Sequence, residues 1–123
     1  MSGALAWVGV GVFGAIGSWA RFRVGDLIAA RRRTDFPLGT FVVNLTGGFL
    51  LGLLTGLSVT GDELLVLGTG LLGGYTTFST WMVEAQRLGE DGEWGLLWAY
   101  LIGSTLAGLA VTGIGWLIGG AVG

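Results

Sequence analysis

Four long apolar stretches, separated by short charged breaks, account for most of the 123-residue chain. The stretches predict helices at about 3–25, 37–59, 64–84 and 94–118. Each is close to the ~20 residues that an α-helix needs to cross ~30 Å of hydrocarbon. The breaks are too short to hold a separate domain. The sequence therefore predicts an all-α membrane protein in which residues 1–123 form one domain of four transmembrane helices.

The composition points the same way. Charged residues make up 11% of the chain and hydrophobic residues 52%, whereas soluble domains carry about 25% charged residues. The chain has no His and no Cys, which excludes disulfides, thiolate nucleophiles, the usual zinc sites and the commonest acid–base catalyst. Its six Arg and eight acids give a net charge of −2, with no basic face for nucleic acid. We expect a multi-pass protein of the cell membrane, embedded in the lipid bilayer, that is not an enzyme.

Small residues recur at four-residue spacing in three of the predicted helices. They are Gly48, Gly52 and Gly56 in the second, Gly70 and Gly74 in the third, and Ser104, Gly108 and Thr112 in the fourth. Small residues at this spacing let helix backbones approach closely. Because one copy would leave several small-residue faces without a partner, we expect a dimer. Glycine is also commoner in membrane helices in general, and that alternative stays open.

Asn44 is a polar residue inside the second apolar stretch. It lies seven residues after Pro37, about 10 Å inside the helix at 1.5 Å per residue. A polar side chain at that depth is costly and calls for a reason. Its amide both donates and accepts, which suits either an anion or a neighbouring helix.

The third stretch contains the segment Gly73-Gly74-Tyr75-Thr76-Thr77-Phe78-Ser79-Thr80-Trp81. Two glycines followed by two β-branched threonines make a poor helix interior. This weak point falls at the bilayer midplane, where irregular backbone is tolerated only if it is buried in protein or lines a cavity. Unwound carbonyls there are potential cation ligands. The sequence predicts a third helix broken at the midplane, and a packing defect filled by a partner helix is the alternative.

Aromatic and hydroxyl side chains follow this segment. Phe78 and Trp81 are three residues apart and share a helix face, so their electropositive ring edges could face an anion or simply pack in a core. Tyr100, Ser104 and Thr112 project from one side of the fourth helix. This hydroxyl stripe could guide a small hydrated ion or bond to the third helix.

These motifs together resemble the CrcB/Fluc family of fluoride channels. The resemblance is carried, in order along the chain, by Gly14-Ala15…Arg21-Phe22, by Pro37-Leu-Gly39-Thr40…Val43-Asn44…Gly47…Gly52, and by Gly73-Gly74-Tyr75-Thr76-Thr77-Phe78-Ser79-Thr80…Glu84. The resemblance implies an antiparallel dimer of the dual-topology type, with two fluoride pores along the subunit interface. It also implies passive, selective export of cytoplasmic fluoride, which lowers fluoride toxicity without ATP or proton coupling.

The resemblance further implies roles for individual residues. The fluoride path would include Asn44, Phe78, Trp81, Thr77, Ser79, Thr80, Tyr100 and Ser104, and the vestibule would include Arg21 and Glu84. The backbone carbonyls of Gly73 and Thr76, with their symmetry mates, would hold a structural Na⁺ at the dimer interface. Trp81 stands where the family usually has Phe, so its N–H donor could change the second fluoride station. Gly108 shortens the hydroxyl track of the fourth helix.

The arginines are unevenly distributed along the chain. All six, namely Arg21, Arg23, Arg31, Arg32, Arg33 and Arg87, lie near the first or third break. The positive-inside rule then places both termini outside the cell. An antiparallel homodimer needs little such bias. The dimer partner is therefore expected to be either a second copy or an oppositely oriented homologue.

Two other functions remain open. A small four-helix exporter coupled to cations would need a carboxylate well inside the membrane, and the predicted spans contain no acid before Glu84. A non-conducting channel subunit that needs a homologous partner would tolerate changes at Asn44 or Phe78 without loss of ion flux.

Overall fold

The computed structural model describes residues 3–31 and 36–123, which are helical apart from short connections and contain no strand. The elements in chain order are α1 (Gly3–Arg31), α2 (Leu38–Gly56), α3 (Gly61–Leu64), the π-helix π1 (Leu65–Leu72), α4 (Gly73–Tyr75), α5 (Ser79–Glu90) and α6 (Trp94–Val122). Arg32 and Arg33, which contribute to the expected membrane orientation, lie outside the described residues.

Three helices in the described part of the chain are long and apolar enough to cross a membrane. They comprise residues Gly3–Ile28 of α1, Leu38–Gly56 of α2 and Trp94–Val122 of α6. The third apolar stretch is not among them because its residues are divided between α3, π1, α4 and α5. The first helix continues beyond its expected end near residue 25, since the charged residues that close the apolar stretch are compatible with a helix.

The π-helix is a feature that the sequence did not predict. It spans eight residues and ends where the amide of Gly73 donates to the carbonyl of Gly68, five residues back. The helical backbone continues from α3 through π1 into α4 without a break. π-helical turns are rare and change which residues face a neighbouring helix. Here π1 and α4 form one continuous stretch, called the π-containing helix below, that packs along α1.

Glycines bring α2 and α6 into backbone contact, and this pair forms the largest helix interface of the described chain. A Cβ at Gly52 would overlap the carbonyl oxygen of Thr112, and a Cβ at Gly115 would overlap the carbonyl oxygen of Phe49. The stripe of small residues in α2 is therefore used within one chain. The expected close approach of helix backbones occurs here between two helices of the same subunit.

A second glycine contact joins α1 to α4. A Cβ at Gly74 would overlap the carbonyl of Gly14, and the Ser18 hydroxyl donates to the carbonyl of Gly74 at 3.3 Å. The π-containing helix is thereby held against α1 immediately before the helical backbone is interrupted.

Few side chains of the described residues are buried. A small cluster of Ala85, Leu88, Leu97 and Tyr100 joins α5 to α6. Large apolar residues elsewhere stay exposed, for example Trp19 at 65% and Leu109 at 69%. Exposed apolar surface of this extent is typical of proteins that face lipid or a protein partner.

Candidate functional site

The candidate site is built around an interruption of the helical backbone between Tyr75 and Ser79. The amide of Thr76 completes the last turn of α4 by donating to the carbonyl of Leu72 at 2.9 Å. Thr76 itself is extended, with φ −78° and ψ 160°. The chain therefore leaves the helix at Thr76 and re-enters one at Ser79.

Asn44 on α2 holds the interruption by two hydrogen bonds to one residue. Its Nδ2 donates to the carbonyl of Thr77 at 2.9 Å, and its Oδ1 accepts from the amide of Thr77 at 2.8 Å. The side-chain amide thus replaces the helical partners that Thr77 has lost. Asn44 makes the interhelical contact that was one of its two predicted roles. The second hydrogen of Nδ2 is not used in this pair.

Thr77 also starts the next helix. Its Oγ1 accepts a hydrogen bond from the amide of Thr80 at 3.2 Å. The first amides of a helix have no partner within it, and a nearby threonine hydroxyl can accept from one of them. The one residue whose backbone is held by Asn44 therefore also bonds, through its side chain, to the first turn of α5.

These two arrangements release the carbonyls of Gly73 and Thr76. In a continuous helix, the amide of residue i donates to the carbonyl of residue i−4, so Thr77 would bond to Gly73. Instead, the Thr77 amide bonds to Asn44 and the Thr80 amide bonds to the Thr77 hydroxyl. No hydrogen bond from the described residues reaches either released carbonyl.

An open groove of about 520 Å³ runs beside the interruption. Seven of the predicted site residues line it, namely Asn44, Gly73, Thr76, Thr77, Phe78, Trp81 and Ser104. Its other wall is formed mostly by glycines, threonines and leucines of α2, π1 and α6. None of the lining residues carries a charge. The structure thus brings predicted residues from α2, α4, α5 and α6 to one uncharged surface.

Three aromatic rings form a row from this groove into the core. Phe78 is 71% exposed, and its ring centroid lies 5.7 Å from that of Trp81. Trp81 lies 6.2 Å from Tyr100, which is fully buried. Tyr100 in turn contacts Phe36 edge-on at 5.4 Å. Exposure therefore falls along the row, from Phe78 through Trp81 to Tyr100.

Three polar atoms beside this row are buried without a hydrogen-bond partner among the described residues. They are Nε1 of Trp81, the hydroxyl oxygen of Tyr100 and Oγ of Ser104. Buried polar atoms are usually paired, and each exception calls for an explanation.

The remaining predicted residues lie away from the groove lining. Ser79 and Thr80 occupy the exposed first turn of α5. Arg21 lies on α1, with its guanidinium 5.0 Å from the ring centroid of Phe22 and its Nε buried without a partner among the described residues. Glu84 accepts a hydrogen bond from the Thr40 hydroxyl.

Two threonines of α2 contact the site but received no role from the sequence. Thr40 bonds to Glu84, and Thr46 bonds to the hydroxyl of Tyr75 at 2.7 Å. Thr40 lies four residues before Asn44, on the same face of the helix. That spacing was a usable signal for Thr40, whereas Thr46 could be found only from the position of Tyr75.

Comparison with known proteins identifies what this arrangement resembles. A family model described as "CrcB-like protein, Camphor Resistance (CrcB)" matches residues 8–116. A protein of Mycobacterium bovis named "Fluoride-specific ion channel FluC 2" is 49% identical over 109 residues, covering 89% of this chain and 86% of that protein. A protein of Moorella thermoacetica with the same name is 44% identical over 121 residues, covering 96% of this chain and 99% of its own length. Both relatives are named as ion channels rather than enzymes.

Proposed function

Because the chain belongs to the CrcB family, as its motifs predicted, we propose that it is a fluoride-selective ion channel. Passive exit of cytoplasmic fluoride through it would lower fluoride toxicity. The observation that carries this proposal is the uncharged groove. It joins the amide of Asn44, the backbone of Thr77, the exposed ring of Phe78 and the hydroxyl side of α6.

The chemistry of the groove suits a small anion. Fluoride is small and strongly hydrated, so a pore must replace its water with several donors, yet conduction requires that it also leave. Hydroxyls, an amide and electropositive ring edges supply such donors without a fixed positive charge. The groove lining offers these groups and no lysine or arginine. It can therefore attract fluoride without binding it too tightly for release.

We assign the predicted residues to this path. Fluoride would pass Asn44, Phe78, Trp81, Thr77, Ser79, Thr80, Tyr100 and Ser104, with Arg21 and Glu84 near the vestibules. Five of these path residues line the groove, which supports the central part of this assignment. The vestibule roles rest on the family resemblance.

The interrupted third region would cross the membrane as one broken helix, giving four spans. Residues 61–75 and 79–90, with the interruption between them, contain the third apolar stretch. The released carbonyls and the groove lie where the two parts meet. We propose that a second subunit in the opposite orientation covers the groove and completes the path. The open side of the groove and the exposed apolar surface of the chain support this arrangement.

The carbonyls of Gly73 and Thr76 fit a structural Na⁺. Unwound carbonyls in interrupted membrane helices are suitable Na⁺ ligands, and these two accept no hydrogen bond from the described residues. Two carbonyls from each subunit would supply four oxygens, which would hold the two subunits together. Replacing Na⁺ with N-methyl-D-glucamine should lower the thermal midpoint of the purified protein. An unchanged midpoint would argue against this site.

Fluoride efflux tests the proposed function directly. Liposomes that contain only this chain are loaded with fluoride or chloride, and ion release is followed with electrodes. Rapid release of fluoride but not chloride would establish the channel and show that one chain suffices. No release from well-folded protein would contradict a homodimeric channel.

Two follow-up measurements separate the alternatives. Flux restored by co-reconstitution with a homologue would establish an oppositely oriented partner in the cell membrane, and compartment reporters on each terminus would show whether orientation is fixed. Proton-coupled cation uptake into vesicles would instead establish an exporter.

A further inference from the structure

The helical backbone that ends at the interruption leaves the carbonyls of residues 73–76 without a partner in the helix. Its last turn closes where the amide of Thr76 donates to the carbonyl of Leu72, and the last four carbonyls of a helix have no intrahelical donor. Of these four, only the carbonyl of Gly74 accepts a hydrogen bond from the described residues. The donor is the hydroxyl of Ser18 on α1, at 3.3 Å. A residue of α1 therefore satisfies one of the four carbonyls beside the interruption.

The Ser18 hydroxyl bonds in a different direction from other hydroxyls within the long helices. Those of Thr55 and Thr105 donate to carbonyls three or four residues back in their own helices, which is a common arrangement for serine and threonine inside a helix. The Ser18 hydroxyl instead donates to another helix, 56 residues away along the chain. Its bond therefore joins α1 to the end of α4.

Glycines on both helices bring this hydroxyl within reach of the carbonyl. A Cβ at Gly74 would overlap the carbonyl oxygen of Gly14, and a Cβ at Gly17 would overlap that of Leu71. Gly14 and Gly17 both lie within about one turn of Ser18 on α1. The face of α1 formed by these two glycines and Ser18 thus packs directly on the last helical turn before the interruption.

The pair Gly73-Gly74 depends on such an outside partner to hold its conformation. Glycine loses more conformational freedom on folding than any other residue, and this pair stands at a helix end, where intrahelical bonds are missing. The bond from Ser18 restricts the peptide group of Gly74, next in the chain to the carbonyl of Gly73 that we assign to Na⁺. Without that bond, Na⁺ binding would have to order this backbone, which would lower the affinity.

We propose that Ser18 is a positioning residue of the Na⁺ site. Its bond to Gly74 fixes the backbone that carries the Gly73 carbonyl and occupies the Gly74 carbonyl, so that Na⁺ receives the carbonyls of Gly73 and Thr76. This inference rests on the Na⁺ site of the proposed function. It adds that α1, which supplies no ligand to the ion, sets the affinity of the site.

Thermal unfolding of the purified protein at increasing Na⁺ tests this role, with N-methyl-D-glucamine keeping the ionic strength constant. The rise of the thermal midpoint with Na⁺ gives the half-saturating Na⁺ concentration. Ser18→Ala should raise that concentration about fivefold, the cost of ordering roughly one freed backbone residue. A serine that only stabilises the fold would lower the midpoint equally at every Na⁺ concentration. An unchanged half-saturating concentration would therefore overturn the proposal.

Two further variants control this measurement. Thr55→Val removes a hydroxyl that donates only within α2, and its half-saturating Na⁺ concentration should equal that of the unaltered protein. Ser18→Cys serves if Ser18→Ala does not fold, because a thiol is a weak donor. Its half-saturating concentration should also rise, and an unchanged value would contradict the role of Ser18.

A single carbonyl signal tests the hydrogen bond itself. Gly74-Tyr75 is the only Gly-Tyr pair in the chain, so labelling with ¹³C-carbonyl glycine and ¹⁵N-tyrosine gives one NMR signal for the Gly74 carbonyl. Ser18→Ala should move this signal upfield, as expected when a carbonyl loses a hydrogen bond. A signal at the same position in the variant would show that Ser18 does not hold Gly74, and the proposal would fail.

The channel and the role of Ser18 can fail separately. A thermal midpoint of the unaltered protein that does not respond to Na⁺ would overturn the Na⁺ site and the role of Ser18 together, whatever the fluoride efflux. Absence of efflux combined with the fivefold effect of Ser18→Ala would overturn the channel and still support the role of Ser18.

Discussion

The two sides of α2 join their neighbours in opposite ways. Toward α6, glycines remove side chains so that backbones touch, as at Gly52 and the carbonyl of Thr112. Toward the interruption, a polar side chain reaches out to bond to backbone, as Asn44 does with Thr77. The contact with α6 depends on the lack of side-chain atoms at glycine. The contact with Thr77 depends on the hydrogen-bonding groups of the Asn44 side chain.

This difference separates the contacts that hold the helices together from the contacts that we assign to fluoride conduction. Adding one carbon at the glycine contact forces the two backbones apart. Removing a polar group at that contact should change little. At the interruption, the contact consists of two hydrogen bonds between the Asn44 amide and the backbone of Thr77. Substitutions on one helix should therefore divide into those that prevent folding and those that spare folding but stop flux.

The largest effect should come from Gly52→Val. The added Cβ would overlap the carbonyl oxygen of Thr112, which cannot move without moving α6. Overpacking of this kind costs about 3 kcal/mol, and we expect loss of most monodisperse protein by size-exclusion chromatography. Gly95→Ala is the control because nothing lies within 4 Å of a Cβ there. Normal yield and stability of Gly52→Val would show that α2 and α6 are not held by backbone contact.

Asn44→Leu should have the next largest effect, and on flux rather than on yield. The variant removes both hydrogen bonds to Thr77 at similar side-chain volume, at a cost of about 2 kcal/mol for two bonds. We expect folded protein with a lower thermal midpoint and at least tenfold slower fluoride efflux. Thr46→Val, on the same helix, removes a bond to a tyrosine hydroxyl and should conduct normally. Wild-type flux in Asn44→Leu would remove the amide from the proposed path.

Much of this contrast was readable in the sequence, and the reason differs for each side. The spacing of Gly48, Gly52 and Gly56 indicated close helix contact, because the lack of a side chain at each glycine can be read from the sequence alone. The run Gly73-Gly74 followed by two threonines indicated an unstable helix for the same reason. The sequence left the role of Asn44 open, since an amide can bond either to a neighbouring helix or to an anion. The structure shows the bonds to Thr77.

Other features depend on tertiary contacts and had no local signal. The π-helix at Leu65–Leu72 fits its residues to α1, which a sequence pattern does not show. The release of the Gly73 carbonyl requires that Asn44 compete for the Thr77 amide across 33 residues of chain. The burial of Nε1 of Trp81, which has no hydrogen-bond partner among the described residues, likewise depends on the contact between α5 and α6.

Thr77→Val should produce an intermediate effect that tests the start of α5. The variant loses the Oγ1 that accepts from the Thr80 amide in the first turn of α5, and losing a side-chain bond to such an amide costs about 1 kcal/mol. We expect a modestly lower thermal midpoint and a several-fold slower fluoride efflux. Thr77→Ser keeps the oxygen and should restore both. If serine fails to restore them, the methyl group of Thr77 rather than its hydroxyl is what matters at this position.

Tyr75→Phe should have the smallest effect. It tests how far along α2 the polar contacts that fluoride efflux requires extend. The variant deletes the hydroxyl that bonds to Thr46 at 2.7 Å but leaves the ring, which packs near Gly47. Hydrogen bonds between membrane helices average about 0.6 kcal/mol, so the thermal midpoint should fall slightly and fluoride efflux should stay unchanged. A double-mutant cycle with Thr46→Val measures the pair alone. A coupling as large as that of Asn44 with Thr77 would mean that both bonds hold the interruption, and that the functional side of α2 extends a further half-turn toward its centre.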